Sequence, residues 1–221
     1  MFEDRYDAGR QLAQRLLHLK DLEPPAVALG LPRGGVVVAA EVAAALKATL
    51  DVLVVRKIGA PHQPELAIGA VTDGAQPQVV LNQELIDALG IDDAFLQAEI
   101  QREFQEVQRR QQQYRRGRPA VAIKDRTVIV VDDGIATGAT VRAGLLALRT
   151  AGPAHLVLAV PVAAPDSLRL LQCDVDEIVC LHSPMNFMAV GRFYENFEQT
   201  TDEEVISLLE ESRSEGIAPE R

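Results

Sequence analysis

The chain has 221 residues, 48% of them hydrophobic, two cysteines, four histidines and a formal net charge of -10. That length supports one substantial core with small decorations, and the acidic balance disfavours a reader of nucleic-acid backbones, which presents a basic face. Cys173 and Cys180 lack Cys-x-x-Cys spacing and a companion histidine cluster, so they read as reduced core thiols rather than a disulfide or metal site.

The amino terminus, Met1-Phe2-Glu3-Asp4-Arg5, has no apolar leader, and Glu41 and Lys47 break the longest apolar stretch, so a soluble, cytoplasmic protein is expected. Residues 7–20 place Ala8, Leu12, Leu16 and Leu19 on one face, which predicts a leading helix outside the main sheet. Residues 26–31 predict a short buried strand, Pro32-Arg33-Gly34-Gly35 a turn, and residues 36–47 a helix rich in Ala and Val. A second strand over 51–55 ends in Arg56-Lys57. Residues 58–66, with Gly59, Pro61 and Pro64, predict a loop. Strands over 67–72 and 78–81 follow, with a hairpin turn at Asp73-Gly74. A long helix over 92–116 buries Leu96, Ile100, Phe104 and Val107. Its basic run, Arg109, Arg110, Arg115, Arg116 and Arg118, reads as a solvated helix end with cations near the C-terminus rather than as an RNA site.

Residues 128–140 carry the chemistry. Val128, Ile129, Val130 and Val131 are consecutive β-branched residues, the pattern of a strand buried on both faces of a parallel sheet. Asp132 and Asp133 therefore emerge at its carboxyl end, the edge where open α/β sheets bind ligands. Gly134 and Gly138 keep side chains out of the following turn. Its amides, the hydroxyls of Thr137 and Thr140 and the start of a helix over 139–150 can then close on an anion. Carboxylates for vicinal hydroxyls thus lie beside donors for a phosphate. The alternatives are two solvated aspartates capping a helix, or a phospho-acceptor receiver domain, whose acid pair would follow the first strand.

This stretch resembles the phosphoribosyl-pyrophosphate (PRPP) motif of type I phosphoribosyltransferases, in which a hydrophobic run precedes two acids and a Thr-Gly turn. The resemblance implies an Mg²⁺-dependent displacement at the anomeric carbon of PRPP by a nitrogen acceptor. In that scheme Asp132 and Asp133 hold the ribose hydroxyls, and Ala136, Thr137, Gly138, Ala139 and Thr140 bind the 5′-phosphate. Arg33, Gly34 and Gly35 hold pyrophosphate in a loop with a non-proline cis peptide at Arg33-Gly34. Lys57 contacts pyrophosphate, across a dimer interface in some arrangements, beneath a lid over 58–66 that contains His62. Mg²⁺ is held mainly through PRPP, and a homodimer is expected. Hypoxanthine-guanine members carry an aspartate where this chain has Ala136, so the turn is closer to the adenine-type version.

Strands over 155–160 and 175–181, with a helix over 166–172 between them, complete a pattern of alternating strands and helices. It predicts one α/β domain with an open, mostly parallel doubly wound sheet. The core spans about 24–182, and a hood comes from about 1–20 and 183–213. After the last strand comes an aromatic cluster in a chain only 4% aromatic. Phe193 or Tyr194 there could stack on a planar acceptor or, equally, seal the amino-terminal helix to the core. Residues 201–213 predict an acidic helix capped by Thr201, with Glu204 completing a capping box. The whole chain resembles a bacterial group of phosphoribosyltransferases of unassigned acceptor. The expected activity is phosphoribosyl transfer to a nucleobase-like acceptor. The alternatives are a PRPP- or nucleotide-sensing protein of the same fold without catalysis, or a hydrolase of phosphorylated sugars.

Overall fold

The computed structural model describes residues 1–73 and 78–215. Its centre is a five-stranded parallel sheet of β1 (Val27–Gly30), β2 (Thr49–Val52), β6 (Thr127–Val131), β7 (His155–Val162) and β8 (Glu177–His182), in the order β2-β1-β6-β7-β8. The β-branched run predicted around residue 130 is the central strand, with Val128 to Val131 fully buried. Burying each such side chain is worth roughly 1.5–3 kcal/mol. Side chains alternate between two cores. Ala28, Ile129, Val131, Val157 and Ala159 face one side, while Val27, Leu29, Val128, Val130, Leu156 and Leu158 face the other.

Helix α2 (Gly34–Leu46), with α1 (Arg5–Arg15) against it, covers the first face, and α5 (Ala139–Thr150) and α6 (Pro165–Leu171) cover the second. The crossover β1-α2-β2 runs toward one edge of the sheet and β6-α5-β7 toward the other. The chain therefore reverses its winding between β1 and β6, the switch point where such sheets open a crevice. Helix α7 (Asp202–Glu215) packs on α2, on the long helix α4 (Asp93–Arg115) and on β2. Thr201 caps it, accepting from the Glu204 amide at 3.1 Å, but the Glu204 carboxylate accepts from the Tyr6 hydroxyl instead of closing a capping box.

A second, antiparallel sheet consists of β3 (Val55–Ala60), β4 (Gln63–Thr72) and β5 (Gln78–Leu81). The loop predicted over 58–66 is therefore a correction: it is the tip of a β3–β4 hairpin whose tight turn holds His62 at φ 60°. Gly59 sits where the register shifts, so a residue read as a strand breaker marks an irregularity within the ladder. Of the predicted Asp73-Gly74 turn, Gly74 lies outside the described residues. Two helices follow, α3 (Gln83–Leu89) and α4 (Asp93–Arg115), and α3 had no counterpart in the sequence reading.

Arg115 overturns its reading as a solvated cation. It is buried, donating from Nε to Asp51 at 2.9 Å, from a terminal nitrogen to Asp73 at 2.6 Å, and to the Val52 carbonyl at 2.7 Å. This clamp ties the end of α4 to the β2 edge. Burial, only partly offset by Arg115, pushes the Asp73 carboxyl up to about 6. Arg109 and Arg110 do pair at the surface, with Glu106. Cys173 is exposed after α6, not in the core, and both cysteines are free. No helix among the described residues is long and apolar enough to cross a membrane.

Candidate active site

Strands β1 and β6 are paired in register, Gly30 opposite Val131, so the turn after β1 and the acids after β6 leave the sheet side by side. The two glycines of the turn lie against the two acids. A Cβ on Gly34 would sit 2.0 Å from Asp133 Oδ2, and one on Gly35 would meet the Val131 carbonyl at 2.8 Å and Asp132 Cα at 2.9 Å. Arg33 precedes them. The non-proline cis peptide falls at Pro32-Arg33, one bond earlier than the resemblance implied.

Each acid has one oxygen engaged by the protein. The Asp133 amide donates to Asp132 Oδ1 at 2.9 Å, and Arg5 Nε donates to Asp133 Oδ2 at 2.7 Å. Burial and the neighbouring Asp133 charge push the Asp132 carboxyl well above the usual range. Burial also raises Asp133, and the Arg5 guanidinium opposes that rise. Arg5 had not been singled out in the sequence. It opens α1, and its position depends on Phe2, whose backbone pairs with Phe193 and Glu195 at 2.8 and 2.9 Å. No local motif marks it, because its partner lies 128 residues away.

The turn beyond the acids is anchored to β7: the Ile135 amide donates to Val162 and the Ile135 carbonyl accepts from Ala164, each at 2.9 Å. Ser167 donates to the Ala136 carbonyl. Gly138 takes φ 73°, a left-handed conformation suited to glycine, and begins α5 without a side-chain cap. The first-turn amides of α5 therefore have no intrahelical or capping acceptor. Ala136, Thr137 and Ala139 are exposed, and Thr140 is half-buried. A cavity of about 570 Å³ runs from Thr137, Gly138 and Ala139 to Ala67, Gly69 and Val80 on the hairpin sheet.

The remaining predicted residues separate. Lys57 lies on β3, in a cleft of about 590 Å³ with His62, Phe95 and Glu99. Its neighbour Arg56 donates to the buried Glu103 at 2.8 Å. Tyr194 is buried, its ring against Phe2 and Phe197 and its hydroxyl donating to the Asp133 carbonyl. Tyr194 therefore seals the amino terminus to the acid strand and offers no face to an acceptor, which corrects that half of the proposed pocket. Burial pushes its phenol far above the usual range. Phe193 is half-buried and stacks on Phe187 at 5.7 Å. The exposed Met185 and Met188 are in the same loop, and its Val190 lies against Gly134.

The phosphoribosyl transferase domain model matches residues 2–195. A protein of Mycobacterium tuberculosis named as a candidate phosphoribosyl transferase, in strains H37Rv and CDC 1551, is 48% identical over 211 residues. The match covers 95% of this chain and 46% of that protein, so the chain spans about half the length of the curated relatives it matches. The crystal structure of TT1426 from Thermus thermophilus superposes with a TM-score of 0.85 at 45% identity, covering 96% of this chain and 98% of that one.

Proposed function

The chain belongs to the phosphoribosyl transferase domain family, and from that premise we propose that it transfers the 5-phosphoribosyl group of PRPP to a nitrogen of a nucleobase-like acceptor, releasing pyrophosphate. The carrying observation is the contact of Gly34 and Gly35 with Asp133 and Asp132, which puts amide donors and a carboxylate pair at one switch point. In this reading the Pro32-Arg33-Gly34-Gly35 turn holds the diphosphate, Asp132 and Asp133 hold the ribose hydroxyls, and residues 136–140 with the uncapped start of α5 hold the 5′-phosphate. The anomeric carbon–oxygen bond breaks with its electron pair leaving on pyrophosphate, a carbon–nitrogen bond forms, and the proton of the acceptor nitrogen passes to pyrophosphate or solvent. The carboxylates favour the positive charge that grows on the ribose ring meanwhile.

Mg²⁺, when bound, would neutralise charge on the diphosphate and would be held mainly through PRPP. Among the described residues no group of three or more His, Cys, Asp or Glu side chains is placed to hold a metal ion. A carboxylate pair beside a diphosphate loop suits an ion that brings most of its ligands with the substrate. The β3–β4 hairpin is the candidate lid, with Lys57 as its cation, and Phe193 with Phe187 is the candidate surface for a planar acceptor. A homodimer in the cytoplasm is the expected setting.

The test is calorimetry with PRPP and Mg²⁺, followed by a pyrophosphate-release screen over nucleobases. Binding with turnover on one base is the expected result. Binding without turnover on any base would favour a sensor of the same fold.

A further inference from the structure

Each carboxylate of the pair has one oxygen occupied and one open. Asp132 Oδ1 accepts the Asp133 amide, and Asp133 Oδ2 accepts Arg5. Among the described residues, Oδ2 of Asp132 and Oδ1 of Asp133 accept no hydrogen bond from another side chain. For Asp132 the backbone performs this task. For Asp133 a side chain does, and it comes from the other end of the molecule.

Arg5 is held on every side. Besides Asp133, it donates to the Glu198 carbonyl at 2.7 Å, and its guanidinium lies 3.9 Å from the centre of the Phe197 ring. Its Nε would be 2.5 Å from a Cβ on Gly34, so it also lies against the glycine turn. The side chain is only 11% exposed. A guanidinium with a planar fork and a stacked face is fixed in a way that a lysine could not match. The residues that fix it, Phe197 and Glu198, follow the segment to which Phe2 is paired.

We propose that Arg5 is a positioning residue of the PRPP site, pinning one oxygen of Asp133 so that the two acids present one free oxygen each to the two vicinal ribose hydroxyls. The inference rests on the PRPP reading above and adds the amino-terminal helix to the site. The charged and titratable groups around Asp133 are Asp132 from its own strand end, Arg5 from α1 and the Tyr194 hydroxyl from the segment after β8. Without Arg5 the two acids would share a buried space with no opposing cation among these groups. The pair would then hold a proton to higher pH, and the Asp133 carboxylate could rotate.

The experiment compares the parent chain with Arg5→Met and Arg5→Lys, each checked for folding by circular dichroism. Calorimetry measures Mg²⁺-PRPP and, separately, Mg²⁺-pyrophosphate, which does not use the ribose acids. Arg5→Met is expected to weaken PRPP binding by about 10–100-fold, the worth of one hydrogen bond to a charged group. Pyrophosphate binding should change less than about 3-fold, and Arg5→Lys should recover part of the PRPP loss. The acid limb of PRPP binding should move to higher pH in Arg5→Met. The same shift should appear in carboxyl carbon-13 titration of the free protein.

A parent that binds PRPP and an Arg5→Met chain that binds it equally well, or that loses pyrophosphate in the same proportion, would overturn the proposal. So would an unmoved carboxyl titration. A parent that binds no PRPP would instead overturn the donor assignment itself. Should Arg5→Met not fold, Arg5→Lys alone must lose PRPP affinity by at least about 3-fold with pyrophosphate unaltered, and no loss counts against the proposal.

Discussion

Alanine at Gly34 and at Gly35 should have different consequences, although the two residues are adjacent and neither requires a positive φ. At Gly35 the new Cβ would meet main-chain atoms of β6, the Val131 carbonyl at 2.8 Å and Asp132 Cα at 2.9 Å. Relieving that overlap means moving the start of α2 away from β6 by about half an ångström, and such overpacking costs roughly 1–3 kcal/mol. The stiffer unfolded chain returns about 0.4–1 kcal/mol. A net loss of about 1–2 kcal/mol lowers Tm by roughly 2–8 °C in a domain of this size. At Gly34 the new Cβ meets the Arg5–Asp133 ion pair instead, Asp133 Oδ2 at 2.0 Å and Arg5 Nε at 2.5 Å, and must displace it. Gly34→Ala should therefore lose PRPP affinity, because the displaced carboxylate is a ribose ligand. Scanning calorimetry and titration with Mg²⁺-PRPP measure both quantities. A Gly35→Ala chain with unchanged Tm, or a Gly34→Ala chain with unchanged PRPP affinity, would refute the close-approach account.

Arg115→Met leaves Asp51 and Asp73 buried without their cation and should destabilise by about 3–5 kcal/mol in urea unfolding, with the acid-pair site intact in whatever fraction folds. Asp73 makes stability depend on pH. Its folded value, about 6, lies above its ordinary 3.8, so the folded chain binds more protons than the unfolded one between those values. Its contribution is therefore greatest below about 4 and declines as pH rises to about 6, by at most about 1.4 kcal/mol per unit. Asp73→Asn should flatten that slope in unfolding curves taken across this window, and a slope that persists unchanged would assign it elsewhere. Lys57→Ala should slow turnover more than it weakens PRPP binding, and Phe193→Ala should raise the acceptor KM with PRPP affinity unaltered. Equal effects on donor and acceptor would remove both assignments.

The parallel core was legible because β1, β6 and β7 are dominated by Val, Ile, Leu and Ala, although Asp51 interrupts β2. The acids were legible because a strand end, a carboxylate pair and a Thr-Gly turn are contiguous in the chain. What escaped reading depends on long-range partners. Arg5 looks like any charged residue at a helix start, and only the pairing of Phe2 with the segment near Tyr194 brings it to Asp133. Arg115 stands in a basic run at a helix end, where solvation is the ordinary outcome. Its burial follows from Asp51, within β2, and Asp73, just after β4. Residues 58–66 read as a loop because Gly59, Pro61 and Pro64 are breakers in a buried strand, whereas a two-stranded ribbon with bulges and a tight turn accommodates them.

The most direct measurement is the affinity of Mg²⁺-PRPP for the parent and for the chain carrying Asp132→Asn with Asp133→Asn, each shown to be folded by its melting transition. The parent should bind at micromolar to submillimolar concentration, and the double variant should fold and lose binding by about 100-fold or more, two charged hydrogen-bonding groups having been neutralised. A folded double variant that binds PRPP like the parent, or a parent that shows no binding below the millimolar range, would contradict the assignment of this crevice to PRPP.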